Sequence, residues 1–367
     1  MLAQGNPALI RCNRGGHGLF VYWSIFLVLA AGALLNSEAK SGPSRLAMIV
    51  IAAVPTAAMI GLRWEIGPDW SAYASIYRYS RFFSFGDNLV RDDPGFKLLC
   101  WSLRQARQPF WVLNAICGLV FVAGLTAFCR RQPNPWLAYL VAFPYLVIVV
   151  AMSANRQSVA LGFLFFGLNA FERGRLYRFT ILIAAAALFH GSALLLLPIC
   201  LLSYTKSRTQ RLLLLVAVVA LGLYFFRDTF SIYARRYSLE KIQSGGVIYR
   251  LAMNSLSAVL FLTMQRRFGL TERQQKLWRN ISLSTLCLVP LLAFVPSSTA
   301  IDRFLLYLFP LQSVVLSRLP RAFSIEQRTA GLLTILIIGY AALVQATFLS
   351  FAAYSKYYVP YRSIFDA

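Results

Sequence analysis

Charge is scarce in this chain. Charged side chains make up 13% of its 367 residues, against about a quarter in a soluble globular domain. Acidic groups are the rarest, at 13 Asp and Glu against 36 Lys and Arg, and there are two histidines. The longest polar interval is about 45 residues and itself contains aromatics, so a separate soluble domain has no room to fold. The chain has no phosphate-binding glycine loop, no HExxH helix and no serine elbow, which removes the commonest signatures of nucleotide, zinc-protease and hydrolase chemistry. Cys12, Cys100, Cys117, Cys129, Cys200 and Cys287 show no metal-ligand spacing and mostly sit among apolar neighbours, so no disulfide is assigned. His17 has no partner ligand, and Asp92 beside Asp93 is a weak divalent-ion signal. Neither a metal site nor a cofactor site can be argued, and no internal repeat is visible.

What the chain has is hydrophobic length. Apolar residues make up 58% of it and the mean hydropathy is +0.61. Runs of about 20 residues, each sufficient to cross a bilayer, lie near 19–36, 46–62, 110–128, 135–152, 155–171, 210–226, 247–264, 280–296, 303–317 and 329–351. These runs are apolar all round. A membrane β-barrel would alternate polar and apolar residues. The reading is an all-α, polytopic integral membrane protein with about 10–12 transmembrane helices. Residues 1–18 form an N-terminal tail, 19–353 a single transmembrane domain with outer-face loops 63–107 and 227–246, and 354–367 a C-terminal outer-face segment. The first apolar run lacks a small-residue cleavage site and reads as a true span. The stretch 179–203 has basic residues at both ends and His190–Gly191 in its middle. Two short helices meeting at His190 would keep both flanks on one side, whereas a single tilted span would separate them.

The net charge of +23 is scattered over many short loops, which argues against nucleic acid as a partner and for contact with membrane lipids. Loops 37–45, 129–134, 172–178, 204–211, 265–279 and 318–328 hold 18 Lys and Arg with 4 Asp and Glu, simple basic turns that belong in the cytoplasm. The opposite face holds 18 basic and 9 acidic residues mixed with Tyr and Trp, and this is where the chemistry gathers. The segment from Trp70 to Phe85 suits a short helix on the membrane surface, its aromatics at headgroup level.

Ionisable groups next to a span are expensive and usually functional. Arg156 and Gln157 open an apolar run, where an arginine can present a fork of donors to phosphate oxygens or simply snorkel to the interface. Arg303, directly after Asp302, suits either a structural pair or a second phosphate clamp. Arg235 and Arg236 could bind a diphosphate or face lipid headgroups, and Tyr249 and Arg250 open the next span. Asp69, Glu65, Asp92 and Asp93 are the acidic candidates. His190, the one histidine inside an apolar stretch, could be a base, a donor to a sugar or phosphate oxygen, or an interior histidine bonded to a backbone carbonyl.

These elements, taken in order, resemble the EpsG-like family of exopolysaccharide polymerases, a branch of the Wzy-type polymerases. The resemblance is carried by Arg63, Gly67, Asp69 and Tyr73; then Asp93, Pro94, Gly95 and Phe96 with Lys97; then Ser153, Arg156 and Gln157; then His190, Ser192 and Ala193; then Asp302 and Arg303; and finally Val359, Pro360 and Tyr361. It implies a metal-independent glycosyltransferase in a bacterial inner membrane, its active site facing the periplasm. A growing glycan on undecaprenyl diphosphate would pass to the non-reducing end of another lipid-linked repeat unit. His190, Asp69 and Arg156 are then the catalytic candidates. Arg63, Tyr73, Asp93, Lys97, Gln157, Arg235, Arg236, Tyr249, Arg250, Arg303 and Tyr361 are the substrate-binding ones. Undecaprenyl-diphosphate-linked oligosaccharides are the implied substrates, with a flippase and chain-length or export proteins as partners. The rival readings are a flippase or transporter of lipid-linked glycans, which should show repeats paired between halves, and an O-antigen-type ligase, which should carry a larger late loop.

Overall fold

The computed structural model describes residues 7–35, 43–235, 246–294, 298–323 and 327–366. Among them there is no strand, only an isolated bridge between Arg63 and Ser363. The helices run in order as α1 (Pro7–Leu35), α2 (Pro43–Gly61), α3 (Trp70–Tyr79), α4 (Phe85–Leu89), α5 (Pro94–Gln105), α6 (Phe110–Cys129) and α7 (Pro135–Ala142). They continue as α8 (Asn155–Glu172), α9 (Leu176–Phe189), α10 (Leu196–Leu201), α11 (Arg208–Arg235), α12 (Val247–Met264), α13 (Glu272–Phe294), α14 (Ser298–Leu308), α15 (Pro310–Phe323) and α16 (Gln327–Phe351). Helix α7 passes into a π-helix, Phe143–Ala151, whose second residue is Pro144. Segments of this kind usually mark functional regions. Among the described residues, four stretches are long and apolar enough to cross a membrane: Gly18–Leu35, Phe110–Cys129, Val247–Phe268 and Arg328–Phe351. The chain is a multi-pass, all-helical membrane protein.

Several boundaries differ from the sequence reading. The tail expected to end at residue 18 is helical from Pro7, and α11 continues through the first part of the loop expected at 227–246. The expected span 303–317 is two helices broken at Phe309. Pro310 lacks an N–H and crowds the residue before it out of helical geometry, which accounts for the break. The outer loop 63–107 is itself largely helical and holds α3, α4 and α5. At 12 residues, α5 is too short to cross a bilayer.

The stretch around His190 is broken. Helix α9 ends at Phe189, His190 is extended (φ −156°, ψ 108°), and a short 3-10 turn leads into α10. The ring of Phe171, at the end of α8, lies 5.0 Å from both Phe179 and Tyr204. The two flanks of the stretch therefore return to one end of the bundle, with His190 at the tip of a hairpin. The same end collects the other basic turns. Glu172 pairs with Arg131 at 3.6 Å and accepts from Trp278 Nε1 at 3.2 Å. Asn280 donates to Ser203 Oγ at 3.1 Å, Arg318 donates to Gln132, and Asn134 donates to the Ala33 carbonyl at 2.9 Å.

With lipid outside, close packing rather than water exclusion joins the spans. The tightest approach is between α6 and α8. A Cβ on Gly124 would fall 2.2 Å from the Gly162 carbonyl oxygen, and one on Gly162 would fall 2.5 Å from that of Val120. Phe165 fills the space beside this contact against Phe121 and Phe128. Gly124→Val should force these helices apart and cost about 1–3 kcal/mol, read as a lower thermal midpoint in detergent. Gly222→Ala, where nothing lies within 4 Å, should not lower it.

Candidate active site

The end of the bundle opposite the basic turns is organised by a buried cation. Arg63 follows the C-terminus of α2 and is 1% exposed. Its guanidinium donates to the Ile60 carbonyl at 2.5 Å, to Asn155 Oδ1 at 2.6 Å and to Asn114 Oδ1 at 3.4 Å. Asn155 in turn donates to Asn114 at 2.8 Å. The carbonyl end of α2 and two amide oxygens hold this charge, both favourable for a cation. Arg63 thus ties α2, α6 and α8 together and has no surface left for a ligand.

The C-terminal segment closes over this hub. Trp64 N–H bonds the Arg362 carbonyl at 2.9 Å, Ile364 N–H bonds that of Leu62 at 2.8 Å, and Gly67 N–H bonds that of Tyr357 at 2.9 Å. Tyr361 donates to the Met59 carbonyl at 3.0 Å, and Tyr358 to that of Val149 at 2.9 Å. Tyr361 therefore acts as a strap here. Gly67 has φ +94°, and a Cβ there would meet the Met152 carbonyl at 2.6 Å. Only glycine lets the loop press so closely against residues 152–153. That contact sets Asp69 beside Ser153, whose hydroxyl donates to Asp69 Oδ2 at 3.0 Å. Asp69 and Tyr73 then share one face of the helix start, four residues apart.

Next to them lies a charged cluster built from four elements. Arg156, at the start of α8, donates through Nη1 to Asp93 Oδ2 at 2.6 Å and through Nε to the Tyr73 hydroxyl at 3.5 Å. Asp93 sits in the left-handed region (φ 55°) just before α5, and its other oxygen accepts from Gly191 N–H at 3.3 Å. His190 Nδ1 is 3.8 Å from Asp93, and its Nε2 is 3.5 Å from the Gln157 amide nitrogen. Burial pushes the Asp93 carboxyl up, but the imidazole of His190 and the guanidinium of Arg156 outweigh it and hold the group below its usual range. Lys97, one turn along α5, is shifted down by burial and by the positive charges of Arg91 and Arg156.

Gln157 and Asp69 also line a cavity of about 960 Å³. Its far wall carries Arg250, which donates to Asp302 at 2.6 Å and lies 5.6 Å over the ring of Tyr145. Asp302 is thus paired across helices with Arg250 rather than with its neighbour Arg303, which is exposed on α14. Tyr249 is exposed at the rim of the same cavity. Arg236 and the side chain of Arg235 lie outside the described residues. Among the described residues no three His, Cys, Asp or Glu side chains are grouped to hold a metal ion.

The structure therefore gathers Asp69, Tyr73, Asp93, Lys97, Arg156, Gln157 and His190 on one side, with Tyr249 and Arg250 across the cavity. Asn114, Tyr145 and Tyr358 escaped the sequence reading. Asn114 alone left a signal, as an isolated amide inside a helix whose other side chains are apolar except for Thr126.

Two measurements separate framework from site. Arg63→Ala should lower the thermal midpoint, since Asn155 Oδ1 loses its donor at a cost of about 1–3 kcal/mol, while Asn114 Oδ1 keeps the one from Asn155. Arg156→Lys, which keeps charge beside Asp93, should move it little. Because the Asp93 carboxylate is held below its usual range, its contribution is complete above the ordinary aspartate value of about 3.9 and is lost only as pH falls further. The midpoint gap between wild type and Asp93→Asn should accordingly narrow as pH falls below about 4.

The EpsG family model matches residues 46–363, which include every residue of the cluster and of the cavity wall. No curated relative and no solved structure matches the chain. On the strength of that match, the chain belongs to the EpsG family of Wzy-type exopolysaccharide polymerases.

Proposed function

We propose that the protein transfers a growing glycan from undecaprenyl diphosphate to the non-reducing end of another lipid-linked repeat unit. The observation that carries this reading is the meeting of the Asp93–Arg156–His190 cluster with the Asp69- and Arg250-lined cavity through the shared wall residue Gln157. In such a transfer an acceptor hydroxyl oxygen bonds to the anomeric carbon of the growing chain. The bond from that carbon to the phosphate oxygen breaks, and the diphosphate leaves with its electron pair. The hydroxyl proton needs a base, and the leaving charge needs cations.

Asp69 is the base in this scheme, because of the three catalytic candidates it is the one that lines the cavity. Ser153 orients it. Arg156 and Lys97 receive the diphosphate on one side and Arg250 on the other. Arg156 reaches the site already oriented by Asp93 and Tyr73, with its Nη2 edge directed to neither partner. His190 at the hairpin tip holds Gln157 and Asp93 in register and supplies a further donor for a phosphate or sugar oxygen. With three protein cations at hand, the reaction needs no divalent metal.

The end of the bundle that carries Arg131, Arg273 and Arg318 has the simple basic turns expected in the cytoplasm. The cluster then opens to the periplasmic side of the inner membrane, where export partners and a flippase would meet it.

Purified protein mixed with lipid-linked repeat units should build a glycan ladder without nucleotide sugar, and a metal chelator should leave the rate unchanged. Arg156→Lys and Asp69→Asn should each slow ladder growth by about 10²-fold or more. Unaltered lipid-linked units beside an active control enzyme would reject the reading. Full-rate ladders from both variants would reject the residue roles.

A further inference from the structure

We infer that the slot between α12 and α16 holds the isoprenoid chain of the lipid-linked substrate, with Arg250 at its outer mouth meeting the phosphate. This rests on the polymerase reading and assigns the one part of the substrate that the charged cluster leaves unplaced.

Helices α12 and α16 each pack on α15 but share no extensive interface with one another among the described residues. The gap between them is backed by the π-helix, through Pro144, Tyr145, Val149 and Val150, and belongs to the same cavity as Asp69 and Gln157. Its chemistry changes along its length. Around Arg250 and Asp302 it is ionic. From there it is walled by Met253 on α12 and by Tyr340, Leu343, Val344, Thr347, Phe348 and Phe351 on α16. Those α16 positions recur at the spacing of a single helix face.

Dimensions and exposure agree. From Tyr340 to Phe351 a helix rises about 17 Å, on the order of one leaflet of a bilayer whose hydrocarbon core is roughly 30 Å thick. Of the four long apolar stretches, those containing α12 and α16 are the less covered by protein, at 33% and 28% buried, against 44% and 56% for those of α1 and α6. Leu343 is 66% exposed and Phe351 84% exposed, so the slot is open sideways to lipid. A water-soluble glycan has no use for such a wall. A chain that must stay in the outer leaflet while its diphosphate reaches Arg250 does.

The test uses wild-type protein in proteoliposomes and a polyprenyl-diphosphate-linked repeat unit with a diazirine on the isoprenoid chain. Photolysis should label peptides covering 249–264 and 340–354, and excess undecaprenyl diphosphate should suppress the label at least tenfold. A phospholipid with the same diazirine in its acyl chain should label these peptides weakly and without that competition. In the same vesicles, Met253→Trp and Val344→Trp should slow ladder growth on full-length polyprenyl substrate at least tenfold, and a ten-carbon prenyl substrate should restore most of the rate. Label confined to other helices while wild type still polymerises would overturn the slot, as would equal, uncompeted labelling by the phospholipid. Competed label in the slot with no polymer formed would instead overturn the polymerase reading and leave the slot standing.

Discussion

Everything at the charged-cluster end of the bundle depends on how a guanidinium with no carboxylate beside it is kept inside. Arg63 donates to the Ile60 carbonyl of α2 and to the amide oxygens of Asn114 and Asn155, while its buried Nε–H finds no partner among the described residues. Burying a cation is tolerable when its terminal donors are matched in this way. Matching them fixes the relative positions of α2, α6 and α8. The loop leaving Arg63 then has one route, past Gly67 against residues 152–153, and that route delivers Asp69 and Tyr73 next to Arg156.

The cluster is a set of paired charges rather than a ring of bare arginines. Arg156 carries Asp93, and Arg250 carries Asp302. Pairing lowers the cost of keeping these groups in a recess beside lipid, and it freezes side chains that would otherwise lose rotamer freedom on binding. The net field stays positive near Lys97 and the start of α8, whose N-terminus adds its own partial positive charge. An incoming anion would therefore meet donors already in place.

Much of this was legible in the chain, because membrane burial makes hydrophobic length and stranded charge unusually informative. The apolar runs marked the helices, the basic turns marked one end, and His190–Gly191 within 179–203 marked the hairpin. What stayed hidden depends on distance in sequence. Nothing local shows that Asp302 pairs with Arg250, 52 residues away, instead of with Arg303 next door. Nothing local tells Arg63, an interior cation, from Arg156, a cavity-facing one, since both border apolar runs. Helix ends such as the break before Pro310 were signalled by proline, but continuous hydropathy across 303–317 masked it.

The strap formed by residues 357–364 has a consequence for the order of events during synthesis. Its backbone bonds reach Gly18, Leu62, Trp64 and Gly67, which leave the ribosome long before it does. The loop that presents Asp69 is therefore pinned from its far side only after α16 has been inserted. Nascent chains would hold the charged residues without their final geometry, and catalytic competence would arrive late and all at once.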